Sequence, residues 1–329
     1  MKERNEFIDF IKGICITLVV TEHYLFFKIG LEHDSILWPF WGKCAVPLFL
    51  CIQSYLVFKK EKMNLRQDTI KMLKSIALPY IIAEAIQITI IYILGKWNAK
   101  ELITAAIKYN GIGLGTYYFW IYLQFFILTR IIKIIEDKKR LGIAAWGFLL
   151  ITISLLNAIH ANDNPQEEAN YAINSLQYIF LIWIGMVIAK WGWRPKMNWA
   201  LIVLGAASVY IFNYQEVTGV VFYITEGAPD RQFPAYLYHT FFFGGVVLWT
   251  LYNIAPTKIR KMAAKIGQNT WWIYCIQMMW FTPNFVQTNN YKAIIGYGIV
   301  TAVICIYLPT KMKPKIKEKS PLRGGGETP

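Results

Sequence analysis

The sequence predicts an all-α, polytopic integral membrane protein of about ten transmembrane helices with both termini cytoplasmic. Three observations carry that expectation. Only 16% of the 329 residues are charged, against 56% apolar, and soluble domains carry roughly 25% charge. Apolar runs recur that are long enough to cross about 30 Å of hydrocarbon. Lys and Arg fall mainly in alternate connecting segments.

Taken in order, the runs lie at 8–28, 36–58, 74–95, 117–135, 141–160, 172–190, 198–213, 234–253, 269–288 and 291–309. The first, Phe10 to Phe27, exceeds the 7–15 apolar residues of a signal-peptide core and has no small-residue cleavage site after it, so it is expected to remain as a span. The seventh is short, and Pro283 interrupts the ninth. With the N-terminus placed inside, 27 of the 34 Lys and Arg fall in the inner segments. That distribution also accounts for the net charge of +14 without a nucleic-acid partner. Residues 1–310 thus read as one transmembrane domain and 311–329 as a basic cytoplasmic tail of disordered composition. The five cysteines lie within apolar runs and read as buried apolar residues.

Neither an internal repeat of 20–50 residues nor a soluble catalytic module is visible, which leaves the helical bundle as the place for any chemistry. Ionisable residues within spans are costly and default to functional candidates. The first helix has Asp9, Lys12, Glu22 and His23. Lys12 and His23 are eleven residues apart, about three turns, so they project from nearly one face and stand roughly 16–17 Å apart along the axis. That is about the length of an extended pantetheine arm. A coenzyme A with its phosphates on inner-surface cations would present its thioester near His23, whose imidazole suits proton abstraction from a hydroxyl. The bland reading, an inner-leaflet lysine and a hydrogen-bonded bundle histidine, has about equal weight on periodicity alone. Arg66, Lys71 and Lys74 precede the third span; clustered cations suit phosphates, and positive-inside topology explains them equally well. Glu84 and Gln87 fit bonds to neighbouring helices. The histidines lack ligand spacing, so no metal is expected. Arg231, Tyr236, Tyr238, Phe241 and Phe242 read either as a sugar-stacking mouth or as an interfacial aromatic belt.

The run Arg4-Asn5-Glu6-Phe7-Ile8-Asp9-Phe10-Ile11-Lys12-Gly13-Ile14, continuing to His23, resembles the opening signature of acyltransferase family 3, in the branch similar to fucose 4-O-acetylases. Val46-Pro47-Leu48-Phe49 resembles the second-helix pattern, with Gln53-Ser54 where Ser-Gly is usual. Lys71 to Tyr80 resembles the basic stretch before the third helix, with Ser75 where Arg is common. Tyr118 to Gln124 and Ile266 to Tyr274 resemble two later elements, Gln277 replacing a frequent His. The resemblance implies a ten-helix enzyme that moves an acyl group, usually acetyl, from acyl-coenzyme A to hydroxyls of lipid-linked or exported polysaccharides at the bacterial cytoplasmic membrane. His23 would be the general base or transient acyl carrier. Lys12, Lys71 and Lys74 would contact the donor, and Asp9, Glu22, Trp120 and Gln124 would support the site. Some members carry an extra esterase-like domain, for which this chain is expected to be too short. The competing reading is a carrier or flippase for a lipid-linked saccharide, with its buried charges along a passage.

Overall fold

In the computed structural model, the described residues are 5–25, 44–95, 98, 100–102, 104, 116–139, 141–163, 175–192, 246–281 and 291–311. Every regular element among them is helical.

Helix α1 (Glu6–Tyr24) starts where the side chain of Asn5 accepts hydrogen bonds from the amides of Phe7 and Ile8, at 3.0 and 3.3 Å. Glu6 and Asp9 in its first turn face the positive end of the helix dipole. Helix α2 (Ala45–Phe58) starts near the end of α1, where Cys44 lies close to Glu22. Helix α3 (Leu65–Ile93) is capped by Asn64, which accepts from the amide of Gln67 at 3.0 Å. Helices α4 (Tyr117–Lys139), α5 (Ile143–Asp163) and α6 (Phe180–Trp191) follow, the last after a 3-10 turn at Ser175–Tyr178. Then come α7 (Leu248–Ile254), α8 (Thr257–Gln268), α9 (Thr270–Phe281) and α10 (Tyr291–Lys311).

Helices α3 and α10 each contain a wide π-helical turn, at Leu73–Ala77 and Ala302–Tyr307. In both, a proline stands just beyond: Pro79 in one, Pro309 in the other. Proline lacks an amide hydrogen and its ring crowds the carbonyl four residues back. The ladder relieves the crowding by skipping a residue, so Leu78 bonds to Leu73 and Leu308 to Val303.

Two close helix crossings hold the bundle. At Gly13 on α1, an added Cβ would lie 1.9 Å from the carbonyl oxygen of Ala263 on α8; at Gly267, it would lie 1.7 Å from that of Asp9. The backbones of α1 and α8 therefore touch. Likewise a Cβ on Gly185 of α6 would meet the Ser54 side chain of α2 at 2.4 Å. Small residues at such crossings permit dense helix packing without side chains between.

Around these crossings lie two large apolar clusters. One joins α2, α4, α5 and α6 through Leu50, Ile121, Phe125, Trp146 and Phe180. The other joins α1, α3, α4, α9 and α10 through Ile16, Tyr80, Phe119, Met278 and Cys305. All five cysteines are buried and free, as their apolar settings implied.

Three described helices are long and apolar enough to cross a bilayer: α3, α4 and the Lys292–Lys311 stretch of α10. Helix α3 leaves Leu78, Ile81, Ile82, Ile86 and Ile93 exposed, and α10 exposes Ile295, Ile299, Val300 and Val303. Continuous apolar faces of this kind suit lipid, and the protein is a membrane protein. Helix α1 has sufficient length but carries Glu6, Asp9, Lys12 and Glu22. The third expected span, 74–95, lies within a helix that begins at Leu65, because the Asn64 cap starts the helix two turns before the apolar run. Residues 257–268, a connecting segment in the sequence reading, form helix α8. The expected span at 198–213 lies outside the described residues.

Candidate active site

Where the two apolar clusters and α8 meet, they leave a cavity of about 980 Å³. Its wall is drawn from α1, α2, α3, α4 and the α8–α9 junction. At one end stand the cations Lys12, Lys59, Lys60, Lys71, Lys74 and Arg130, and at the other stand Glu22 and His23.

The helical period explains why α1 contributes to both ends. Asp9, Lys12, Ile16, Val19 and His23 recur at spacings of three or four and line the cavity together. Lys12 Nζ lies 3.0 Å from Asp9 Oδ1, and the Asp9 side chain is only 4% exposed. Its carboxylate therefore fixes the ammonium at the rim. Lys60 Nζ is 2.6 Å from Asp68 Oδ1, and Arg130 Nη2 is 3.8 Å from Asp68 Oδ2. The Arg130 guanidinium also lies over the Phe126 ring, 3.2 Å from its centroid. Lys71 and Lys74 are exposed and have no carboxylate partner among the described residues.

The middle of the wall is aromatic. Tyr118, Tyr122, Trp271 and Tyr274 form a connected group, with Trp271 and Tyr274 centroids 4.7 Å apart and Tyr118 and Tyr274 5.6 Å apart. Trp271 Nε1 donates to the carbonyl of Ile76 at 2.9 Å, within the wide turn of α3. The proline-induced irregularity thus supplies an acceptor that orients this indole. At the far end, the His23 ring meets Phe281 edge-on with centroids 6.0 Å apart, and the Gln277 side chain adjoins the imidazole. Tyr24 Oη donates to the Ile294 carbonyl at 2.5 Å, tying the end of α1 to α10.

Gln53, on the α2 side, is 9% exposed, and neither polar atom of its carboxamide finds a hydrogen-bond partner among the described residues. Leaving such a buried polar group unpaired costs about 1–3 kcal/mol.

Of the residues singled out in the sequence, His23, Lys12, Lys71, Lys74, Asp9 and Glu22 all line this one cavity. Trp120 and Gln124 stand outside its wall. Trp120 packs edge-on against Phe119 at 5.4 Å, and Gln124 Oε1 accepts from the Ser175 amide at 3.2 Å, tying α4 to the 3-10 turn. Arg231, Tyr236 and their aromatic neighbours lie outside the described residues. Gln53, Tyr122 and Arg130 were missed as wall residues. A polar residue within an apolar run was the available signal for Gln53 and Arg130, and Tyr122 lies within the stretch Tyr118 to Gln124 that resembles a family element.

No curated protein and no solved structure matches the chain. A family model described as an acyltransferase domain matches residues 5–308, nearly the whole sequence, including all the helices that build the cavity. The chain belongs to acyltransferase family 3.

Proposed function

We propose that this acyltransferase moves an acyl group, acetyl in the first instance, from acyl-coenzyme A to a hydroxyl of a cell-surface or exported polysaccharide. It does so as a ten-helix protein of the bacterial cytoplasmic membrane with both termini inside. The observation that carries this reading is a single cavity with a cationic end and a histidine end, spaced along α1 by roughly the length of a pantetheine arm.

In this reading Lys12, Lys71 and Lys74 hold the donor's phosphates, which places its thioester among the rings near His23. The His23 imidazole takes the proton of the acceptor hydroxyl as that oxygen attacks the thioester carbon. A carbon–oxygen ester bond forms, the carbon–sulfur bond breaks, and the proton passes from the imidazolium to the departing thiolate. Glu22 and Gln277 flank the imidazole and support its orientation.

The test is transfer of radiolabelled acetyl from acetyl-coenzyme A into surface polysaccharide, compared between cells with wild-type protein, His23→Ala protein and no protein. Label that falls by about 10²–10⁴-fold in the variant, with the protein still inserted, is the expected result for loss of a general base. Undiminished label in the variant would remove His23 from the mechanism. Movement of a lipid-linked saccharide without any acyl transfer would favour a carrier.

A further inference from the structure

We infer that Gln53 recognises an amide of the donor's pantetheine arm, so that the cavity reads the arm as well as the phosphates. This rests on the acyl-coenzyme A reading above.

Gln53 lies on the α2 face that also presents Val46, Phe49 and Leu56 to the cavity. Helix α2 has its start near Glu22 and its end at the cationic rim, where Lys59 donates to Tyr55 Oη at 2.8 Å and Lys60 pairs with Asp68. Six residues separate Gln53 from Lys59, about 9 Å along the helix. Gln53 therefore stands about halfway between the phosphate-sized cluster of cations and the level of His23. Its neighbour Ser54 packs closely against Gly185 and donates to the Leu50 carbonyl at 3.2 Å, which holds the backbone beside Gln53 against α6.

A pantetheine arm carries two secondary amides between its pyrophosphate and its thioester. Each offers one N–H and one C=O, which complement the carbonyl and amino groups of a primary carboxamide. Among the described residues, both groups of the Gln53 carboxamide are without a hydrogen-bond partner, and the side chain lines the cavity through which an extended arm would pass. On its own helix Gln53 is flanked by the apolar Val46, Phe49 and Leu56, while the hydroxyls of Tyr118, Tyr122 and Tyr274 and the carboxamide of Gln277 lie elsewhere on the wall. An arm amide buried beside these apolar residues would lose its hydration unless a side chain replaced it, and Gln53 is the carboxamide on that stretch of α2.

The decisive experiment uses full-length protein in lipid nanodiscs and measures binding of coenzyme A and of adenosine 3′,5′-bisphosphate, which lacks the arm. Gln53→Met keeps the length of the side chain and removes its amide; Gln53→Leu is the second variant. Coenzyme A is expected to bind about tenfold more weakly to either variant, as for loss of a buried hydrogen-bond partner, while bisphosphate binding is unchanged. Melting temperature is expected to stay level or rise, since the variant removes an unpaired buried group. Equal weakening for both ligands, or a fall in stability, would make Gln53 a structural residue and overturn the inference. Wild-type and variant proteins binding coenzyme A alike would overturn it while leaving the donor reading intact. Wild-type protein that fails to bind coenzyme A would overturn both.

Discussion

Lys71 and Lys74 sit one turn apart on α3, exposed and without carboxylate partners among the described residues, whereas Lys12 is held by Asp9 and Lys60 by Asp68. Cations already paired add little net field at the rim, so Lys71 and Lys74, together with Lys59, should carry most of the attraction of a phosphate-bearing donor. Exposed charges are screened over about 10 Å at 0.1 M salt. The KM for acyl-coenzyme A is therefore expected to rise with ionic strength. The double variant Lys71→Gln/Lys74→Gln should raise it about tenfold at low salt, flatten the salt dependence and leave kcat unchanged. Steady-state kinetics at several salt concentrations check this, and a fall in kcat at constant KM would contradict it. The residues on α1 were legible because a helix repeats every 3.6 residues and Lys12 and His23 keep that period. Gln53 was not, because only the fold shows that its face of α2 meets a cavity rather than a neighbouring helix.

At the scale of elements, the α1–α8 crossing is the contact on which the site depends. It sets where Asp9, Lys12 and Gln268 stand, since the backbones meet at Gly13 and Gly267 with no side chain between them. Gly13→Ala is expected to push the helices apart and to destabilise the protein by about 1–3 kcal/mol or more, because the obstacle is backbone and cannot rotate away. A thermal melt in detergent reads the shift, and an unchanged midpoint would show that the crossing is looser. Trp271→Phe tests the other structural device. Losing the bond to the Ile76 carbonyl should cost about 1 kcal/mol and leave that carbonyl, in the wide turn of α3, without its indole partner. The prolines behind the wide turns were plain in the sequence. Helix α8 was not, since basic residues at every third or fourth position read as a connecting segment as readily as the solvated face of a helix. Its buried face is only Ala263, Ala264 and Gly267, too small to register as an apolar stripe.

For the whole molecule, the packing of α8 on the first half of α1 has a topological consequence. Lys12, Lys59, Lys74 and Gln268 line one cavity, so in the proposed membrane placement the start of α1, the α2–α3 connection and α8 lie on one side of the bilayer. An even number of crossings must then separate Lys62 from Lys261, which the expected spans between them provide even though the span at 198–213 lies outside the described residues. In the proposed topology, with 27 of the 34 Lys and Arg in the inner segments, that side is the cytoplasm. The five native cysteines are buried, so they should ignore a membrane-impermeant maleimide and serve as a silent background. In intact cells, Lys100→Cys is expected to label directly, while Lys62→Cys and Lys261→Cys label only after the membrane is opened. Labelling of Lys62→Cys and Lys261→Cys on opposite sides would mean an odd number of crossings between them, which the proposed placement does not allow. Labelling of both from outside would instead reverse the orientation and require the acyl donor to be supplied from the opposite face.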